Sequence, residues 1–238
     1  TLRITMVVRR AKGVRGVFNN AWSGLLYYWT HDRKLMQLSL MTLEQKEVYA
    51  EEDPQAPLLG GSVSPDQRYI IGMSPRLTGK GAPVFQIIRL DLKKKVREVI
   101  FEHPEICNPH LQYNPVHGKQ ILVQNNVGTR LHKDGSLDRY QTTACKLFTI
   151  DADGSNQRYL PAGPPITRGL TGHECFVADT GRVLFSAGWV MNSEYDWRHD
   201  PRHPQGNLFT AKPGEKKPKL FEAPQHFFNH VSVSKCGR

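Results

Sequence analysis

The sequence is short of several things, and each shortage narrows the reading. Its apolar runs are only a few residues long, so none can cross a bilayer as a helix, which takes about 20 residues. Helical periodicity is almost absent, which argues against helix bundles and coiled coils. There are four cysteines, Cys107, Cys145, Cys175 and Cys236, with no CxxC spacing. A zinc knuckle and a disulfide framework are therefore not expected, and reduced core thiols are. Acidic residues are scarce, 22 against 32 lysines and arginines, for a net charge of +10. That surplus favours an anionic partner: nucleic acid, an acidic glycan or a membrane surface. The basic runs "LKKKVR" (Leu92 to Arg97) and "EKKPK" (Glu215 to Lys219) lie between strand-like segments and read as solvated hairpin turns. Neither is interleaved with aromatics as a single-strand binding surface would be. Nucleic acid then rests on charge alone, and neither it nor a membrane is the expected partner. Thr1 to Val8 lacks the small-residue cleavage site of a signal peptide. The expected location is the cytoplasm, or the periplasm or exterior should a leader precede Thr1.

What the 238 residues do contain is a repeat. A strand, a tight turn closed by a basic residue, and an apolar strand recur in "GSVSPDQRYIIGMS" from Gly61, "HLQYNPVHGKQILVQNN" from His110 and "HECFVADTGRVLFSAG" from His173. A fourth beginning, "HVSVSKCGR", starts at His230. The closing basic residues are Arg68, Lys119, Arg182 and Arg238, at intervals of 51, 63 and 56 residues. Third strands follow in "KLMQLSLMTLEQ", "FQIIRLDLKKK", "KLFTIDADGSN" and "NLFTAKPGEKK", and fourth strands in "KEVYAEE", "REVIFEH", "QRYLPAG" and "PKLFEAP". Four strands per repeat of roughly 40 to 60 residues is the pattern of propeller blades. A plain β-sandwich would share the turns but not the recurring four-strand order. The fold expected is an all-β propeller, incomplete within 1–238. Its blades are expected near 21–52, 60–103, 108–163 and 172–224, with the start of the next at 229–238. The chain reads as a piece of a propeller of six to eight blades. The first strands are expected near Gly61–Ser64, His110–Tyr113, His173–Phe176 and His230–Val233.

The first strand of each blade lines the channel, so equivalent positions on successive first strands face a shared space. His110, His173 and His230 precede the basic residue of their turns by nine, nine and eight residues. One histidine at a strand start is most often structural; three in register point to a common pocket. Imidazoles together with an amide or carboxylate suit a divalent transition metal. They also suit proton abstraction near neutral pH.

These stretches, "NPHLQYNP", "GHECF", "LFTIDADGSN" and "PQHFFNHVSVS", resemble the oligogalacturonate lyases, seven-bladed propellers of the TolB-like type that degrade pectin fragments. The resemblance spans most of Leu26 to Arg238, and its histidine-bearing stretches are the specific part. It implies a divalent metal, typically Mn2+, with His173, Gln225 and His230 as ligands. It implies His110 as the base that removes the proton next to the uronate carboxylate, assisted by an arginine. Two positions depart from the pattern. Phe228 stands where a further histidine ligand belongs, with His226 nearby as a substitute. The arginine belongs near Gln86, and Arg89 on the same strand is the candidate.

Two insertions follow the second strands of the third and fourth repeats, "NNVGTRLHKDGSLDRYQTT" from Asn125 and "GWVMNSEYDWRHDPRHPQGN" from Gly188. Long loops at one mouth of a propeller hold binding residues. Arginine suits carboxylates and tryptophan suits sugar faces. The substrate-binding candidates are Asn125, Arg130, His132, Trp189, Trp197 and Arg198, with the acidic oligosaccharide as partner. His132, 22 residues after His110, leaves open a relative of the propeller-type ulvan lyases. A reading of a different class is a TolB-like propeller that binds a protein or acidic glycan without catalysis.

Overall fold

The computed structural model describes residues 15–19, 23–52, 58–79, 81–138, 145–188, 206–224 and 226–234. These form sixteen strands, β1 to β16, with no helix among the described residues. They make four antiparallel sheets of four strands each. The first holds β1 (Arg15–Asn19), β2 (Leu25–Trp29), β3 (Lys34–Ser39) and β4 (Gln45–Ala50). The second holds β5 (Leu59–Val63), β6 (Tyr69–Arg76), β7 (Val84–Asp91) and β8 (Val96–His103). The third holds β9 (Gln112–Tyr113), β10 (Gln120–Asn126), β11 (Cys145–Asp151) and β12 (Arg158–Tyr159). The fourth holds β13 (Leu170–Val177), β14 (Arg182–Ala187), β15 (Leu208–Ala211) and β16 (Lys219–Phe221). Each sheet runs in chain order from its first strand to its fourth, which is the plan of a propeller blade.

The blades stack because their middle strands are apolar on both faces. Side chains alternate across a strand, so neighbouring positions feed different cores. On β7, Phe85 and Ile87 join one core while Ile88 and Leu90 join another. On β10, Ile121 and Val123 pack toward the second blade and Leu122 toward the fourth. On β11, Phe148 and Ile150 face one way and Leu147 the other. Four sheets thus enclose three inter-blade cores. Full burial of each such isoleucine or phenylalanine contributes about 1.5–3 kcal/mol. The inner strands adjoin in turn: β1 touches β5 and β5 touches β9. The Tyr113 N–H donates to Ser62 Oγ across that seam at 3.1 Å.

The inner strands are also the irregular ones. On β5, two steps from Leu59 to Gly61 oppose one step from Met73 to Gly72. On β13, four steps from Leu170 to Glu174 oppose two from Ala187 to Phe185. Gly61, at φ +144, lies where an added Cβ would sit 1.8 Å from the Ile71 carbonyl oxygen. The second bulge contains Thr171, Gly172 and His173, and bulges of this kind re-aim side chains at functional sites.

Two expected first strands differ from the structure. His110 lies outside β9, in a left-handed conformation at φ 45. Residues 230–233 form no strand; none of the described strands pairs with them, and side chains of the fourth blade hold the segment instead.

Candidate functional site

Three polar side chains of the fourth blade fix the segment that carries His230. Asn207, fully buried, accepts from the Phe228 N–H through Oδ1 at 2.8 Å and donates from Nδ2 to the Phe228 carbonyl at 2.9 Å. Thr171 Oγ1 and Ser186 Oγ both reach the Asn229 carbonyl, at 3.2 and 3.3 Å. Thr171 belongs to the β13 bulge and Ser186 is the residue that opposes it. The bulge therefore presents a hydroxyl to the following segment and, two residues on, His173 to the same space.

The result is a cavity of about 520 Å³ where three blades meet. His110, Gln112, His173, Glu174 and His230 contribute to its wall, with Cys107 beside them. The ring centroids of His173 and His230 are 3.8 Å apart with planes at 31°. Those of His110 and His173 are 6.3 Å apart. No lysine or arginine lines the cavity among the described residues. His173 Nδ1 is buried with no hydrogen-bond partner.

Glu174 stands behind His110. Its side chain is 1% exposed, and Oε1 lies 3.5 Å from His110 Nδ1. Neither carboxylate oxygen has a hydrogen-bond partner. The carboxylate, against the opposing cost of burial and with help from the Gly172 carbonyl, holds the His110 imidazole above the usual histidine range. Burial is the main cause, with the Glu174 charge adding to it, that pushes the neighbouring Cys175 thiol up to about 11 and Cys145 above its ordinary value. These thiols and Cys107 are free, and their protonated state makes them packing groups rather than nucleophiles.

Gly172 permits the approach of the two blades. At φ +79, its added Cβ would lie 3.3 Å from Gln124 Oε1 and 3.7 Å from His110 Cε1. Gln124 thus belongs to the surroundings of His110. The candidate chosen from the sequence, Asn125, belongs elsewhere: it is buried, and its Nδ2 donates to the Tyr159 hydroxyl on β12 at 3.3 Å. Alternation along β10 is the cause, since adjacent residues face opposite ways.

Arg89 is likewise away from the histidines. Its Nε donates to Glu98 Oε1 and its Nη1 to the Ala152 carbonyl, both at 2.6 Å, and its guanidinium lies over the Tyr69 ring. It lines a separate groove with His117, Lys119 and Asp151. Ala152 is level with Lys119, to which its N–H donates. Pro109, beside His110, is level with Gln124, whose N–H it accepts. The five residues between those levels span about 17 Å of strand. A role for Arg89 beside His110 is excluded by that separation and by its occupied donors.

His226 does not fill the corner left by Phe228. It is exposed, and its Nδ1 lies 2.8 Å from the Pro224 carbonyl oxygen. Gln225, Trp189, Trp197 and Arg198 lie outside the described residues. Arg130 and His132 sit in the loop 127–138, which is closed by a Leu131–Leu137 bridge. His132 Nε2 meets Asp138 Oδ1 at 2.9 Å. The loop leaves β10 at Asn126, whose Oδ1 accepts from the Asn108 N–H at 2.8 Å. Its root is therefore at the His110 end of the blade, although neither side chain lines the cavity.

Sequence reasoning missed Glu174, Gln124 and Asn207. A glutamate within the buried inner strand "LTGHECFV" was the available signal for the first.

The fold and the cavity define a β-propeller with a histidine-lined site at the junction of three blades. No protein-family model matches the chain, and no curated protein matches it. Among solved structures it is similar to an oligogalacturonate lyase in complex with manganese, at 18% identity and a TM-score of 0.62, over 96% of this chain and 58% of that one. It is similar also to an oligogalacturonate lyase from Vibrio parahaemolyticus, at 18% identity and a TM-score of 0.60, over 97% of this chain and 58% of that one. The chain spans 58% of the length of each. At that identity the likeness shows the propeller fold.

The donor set fits a divalent cation in part. The His173 and His230 rings adjoin, with centroids 3.8 Å apart and planes at 31°, so two imidazole donors share one part of the wall. No group of three His, Cys, Asp or Glu among the described residues is arranged to hold a metal ion. Two imidazoles are thus the protein's described contribution.

Proposed function

We propose that the protein is a lyase acting on uronate-containing oligosaccharides by β-elimination, with His110 as the base. The observation that carries this reading is the convergence of His110, His173 and His230 on one cavity, with a buried carboxylate behind the first. Its likeness to a manganese-bound oligogalacturonate lyase supports the substrate class. In the reaction His110 takes the proton from C5, next to the uronate carboxylate. The C5–H electron pair becomes the C4–C5 double bond as the C4–O bond breaks, and the departing oxygen leaves with its sugar and gains a proton. Loss of that proton builds an enolate-like dianion at the carboxylate. A cation held by His173 and His230, with Gln225 and water as further ligands, would supply the Lewis acidity that stabilises such charge. The manganese ion is the proposed cofactor. His110 needs a free ring nitrogen toward the substrate, and Nδ1 turned to Glu174 leaves Nε2 for that task.

A second reading, an acidic-glycan-binding propeller without turnover, is favoured by one observation: Arg89 is committed to Glu98 and Ala152, and no other arginine among the described residues lines the cavity. Incubation with oligogalacturonate and Mn2+, followed by the ultraviolet absorbance of the conjugated C4–C5 product, separates the two. Growth of that absorbance supports the lyase. A flat trace with oligogalacturonate and ulvan fragments, while the glycan still binds, supports the binding propeller.

A further inference from the structure

The geometry points to Glu174 as the positioning residue of His110: its carboxylate fixes the ring plane and keeps the proton on Nδ1, so that Nε2 faces the cavity. This rests on the lyase reading for its consequence, but its evidence is structural. The Glu174 side chain is 1% exposed, and both oxygens lack hydrogen-bond partners. A buried carboxylate without partners is a cost to folding, and an apolar residue of similar volume would remove it. Stability therefore gives no reason for a carboxylate here. The nearest group that can use it is His110 Nδ1 at 3.5 Å.

The carboxylate is also held firmly enough to act as an anchor. The Glu174 carbonyl accepts from Gln112 Nε2 at 2.6 Å, a bond that ties β13 to the strand following His110. On its other side Glu174 is paired with Phe185 of β14 at the end of the bulge. His110 needs an anchor, because it sits outside a strand at φ 45, a conformation that non-glycine residues rarely adopt and that clusters at active sites. A ring on such a loop residue has no sheet neighbours to set its orientation. One buried acceptor behind Nδ1 does so, and it selects the tautomer, as partners of functional histidines do generally.

The test uses the full chain with 15N-labelled histidine and the variants Glu174→Ala and Glu174→Gln. In the unsubstituted protein, at a pH high enough for the His110 imidazole to be neutral, the ring should carry its proton on Nδ1 in one ordered state. In Glu174→Ala the ring should populate both tautomers. Glu174→Gln, which keeps an acceptor oxygen of the same reach, should restore the preference in part. Where turnover is present, kcat should fall about 100-fold in Glu174→Ala with KM changed little, and about 10-fold in Glu174→Gln, the range for residues that orient a functional histidine. An unchanged tautomer in Glu174→Ala, or in Glu174→Gln should the alanine variant not fold, overturns the inference. Absence of turnover in the unsubstituted protein counts against the lyase reading alone, because the tautomer measurement needs no substrate.

Discussion

Asn207→Ala should release His230 without unfolding the propeller. The segment 226–234 forms no strand; the His226 N–H donates to the Ala223 carbonyl at 3.1 Å, and side-chain bonds tie Phe228 and Asn229 to the fourth blade. Asn207 supplies two, to the Phe228 N–H and carbonyl, and Thr171 and Ser186 supply two more, to the Asn229 carbonyl. At about 1 kcal/mol net for each bond, the clamp contributes about 4 kcal/mol, and Asn207 accounts for half of it. A loss of about 2 kcal/mol corresponds to roughly a 30-fold increase in the open population. Native-state hydrogen exchange reads this directly at the Phe228 amide, since local openings report their own free energies. Exchange there should accelerate at least ~30-fold. Amides of β10 and β11, whose strands lie in the inter-blade cores, should keep their rates. Cation affinity should weaken in parallel, because His230 is no longer held opposite His173. A Phe228 amide already exchanging at the rate of an unstructured chain in the unsubstituted protein would refute the clamp. So would an Asn207→Ala variant that accelerates every core amide equally, since that would make Asn207 part of the global fold rather than a local tether.

His173→Ala should abolish Mn2+ binding measured by calorimetry, whereas His110→Ala should spare it and remove turnover. For the pH dependence, Glu174 raises the folded-state pKa of His110. The base form then appears only as pH rises through that raised value, so the rising limb of the kcat/KM profile should lie on the alkaline side of the ordinary histidine range. The same group contributes stability in full below the unfolded-state value of about 6.5 and loses it as pH rises through the folded-state value, which thermal unfolding across that window checks. Gly61→Ala places a methyl against the Ile71 carbonyl, 1.8 Å from its oxygen, at a φ of +144. It should destabilise by about 3 kcal/mol or more, read as a lowered Tm, and a loss under 1 kcal/mol would show that β5 shifts freely.

The blades were legible in the sequence because inter-blade packing imposes a local rule. A strand such as "QIIRLD" must be apolar at both odd and even positions when cores lie on each side, and the turns between such strands need Asp, Gly and basic residues. Both signals are short-range. The three histidines were legible as a set from their similar offsets before the turns, although only His173 lies within a strand. The bulge at Thr171 to His173 was not, because an extra residue in a strand is defined only against its partner, and the partner β14 reads as ordinary. Arg89 was misjudged because linear position on a strand does not tell which end of the blade a functional group occupies. Only the levels of Lys119 and Gln124 on the neighbouring blade settle that. Glu174 stood in the quoted "GHECF" stretch, yet its meaning depends on His110 from another blade. Asn125 illustrates the finest grain of error: it is one residue from Gln124, and one residue on a strand reverses the face.

The distribution of charge bears on why a cation belongs to the proposed chemistry. The net charge is +10, which suits an anionic substrate at long range. The surplus, however, is carried by exposed turns such as Lys93, Lys94 and Lys95, and several inward arginines are already committed. Arg68 pairs with Asp91 at 2.9 Å, Arg182 with Glu215 at 2.8 Å and Arg89 with Glu98 at 2.6 Å. Exposed charges are screened beyond a Debye length of about 10 Å, so those turns would act on the proposed acidic substrate at long range, and none of them lines the cavity. Within the cavity the described groups are three imidazoles and one buried carboxylate, with no lysine or arginine. The proposed uronate would meet Glu174 behind His110 there and, among the described residues, no lysine or arginine to offset it. On the proposed lyase reading, His173 and His230 would hold a divalent ion as neutral ligands, and that ion would supply the positive charge that the described lining of the cavity lacks.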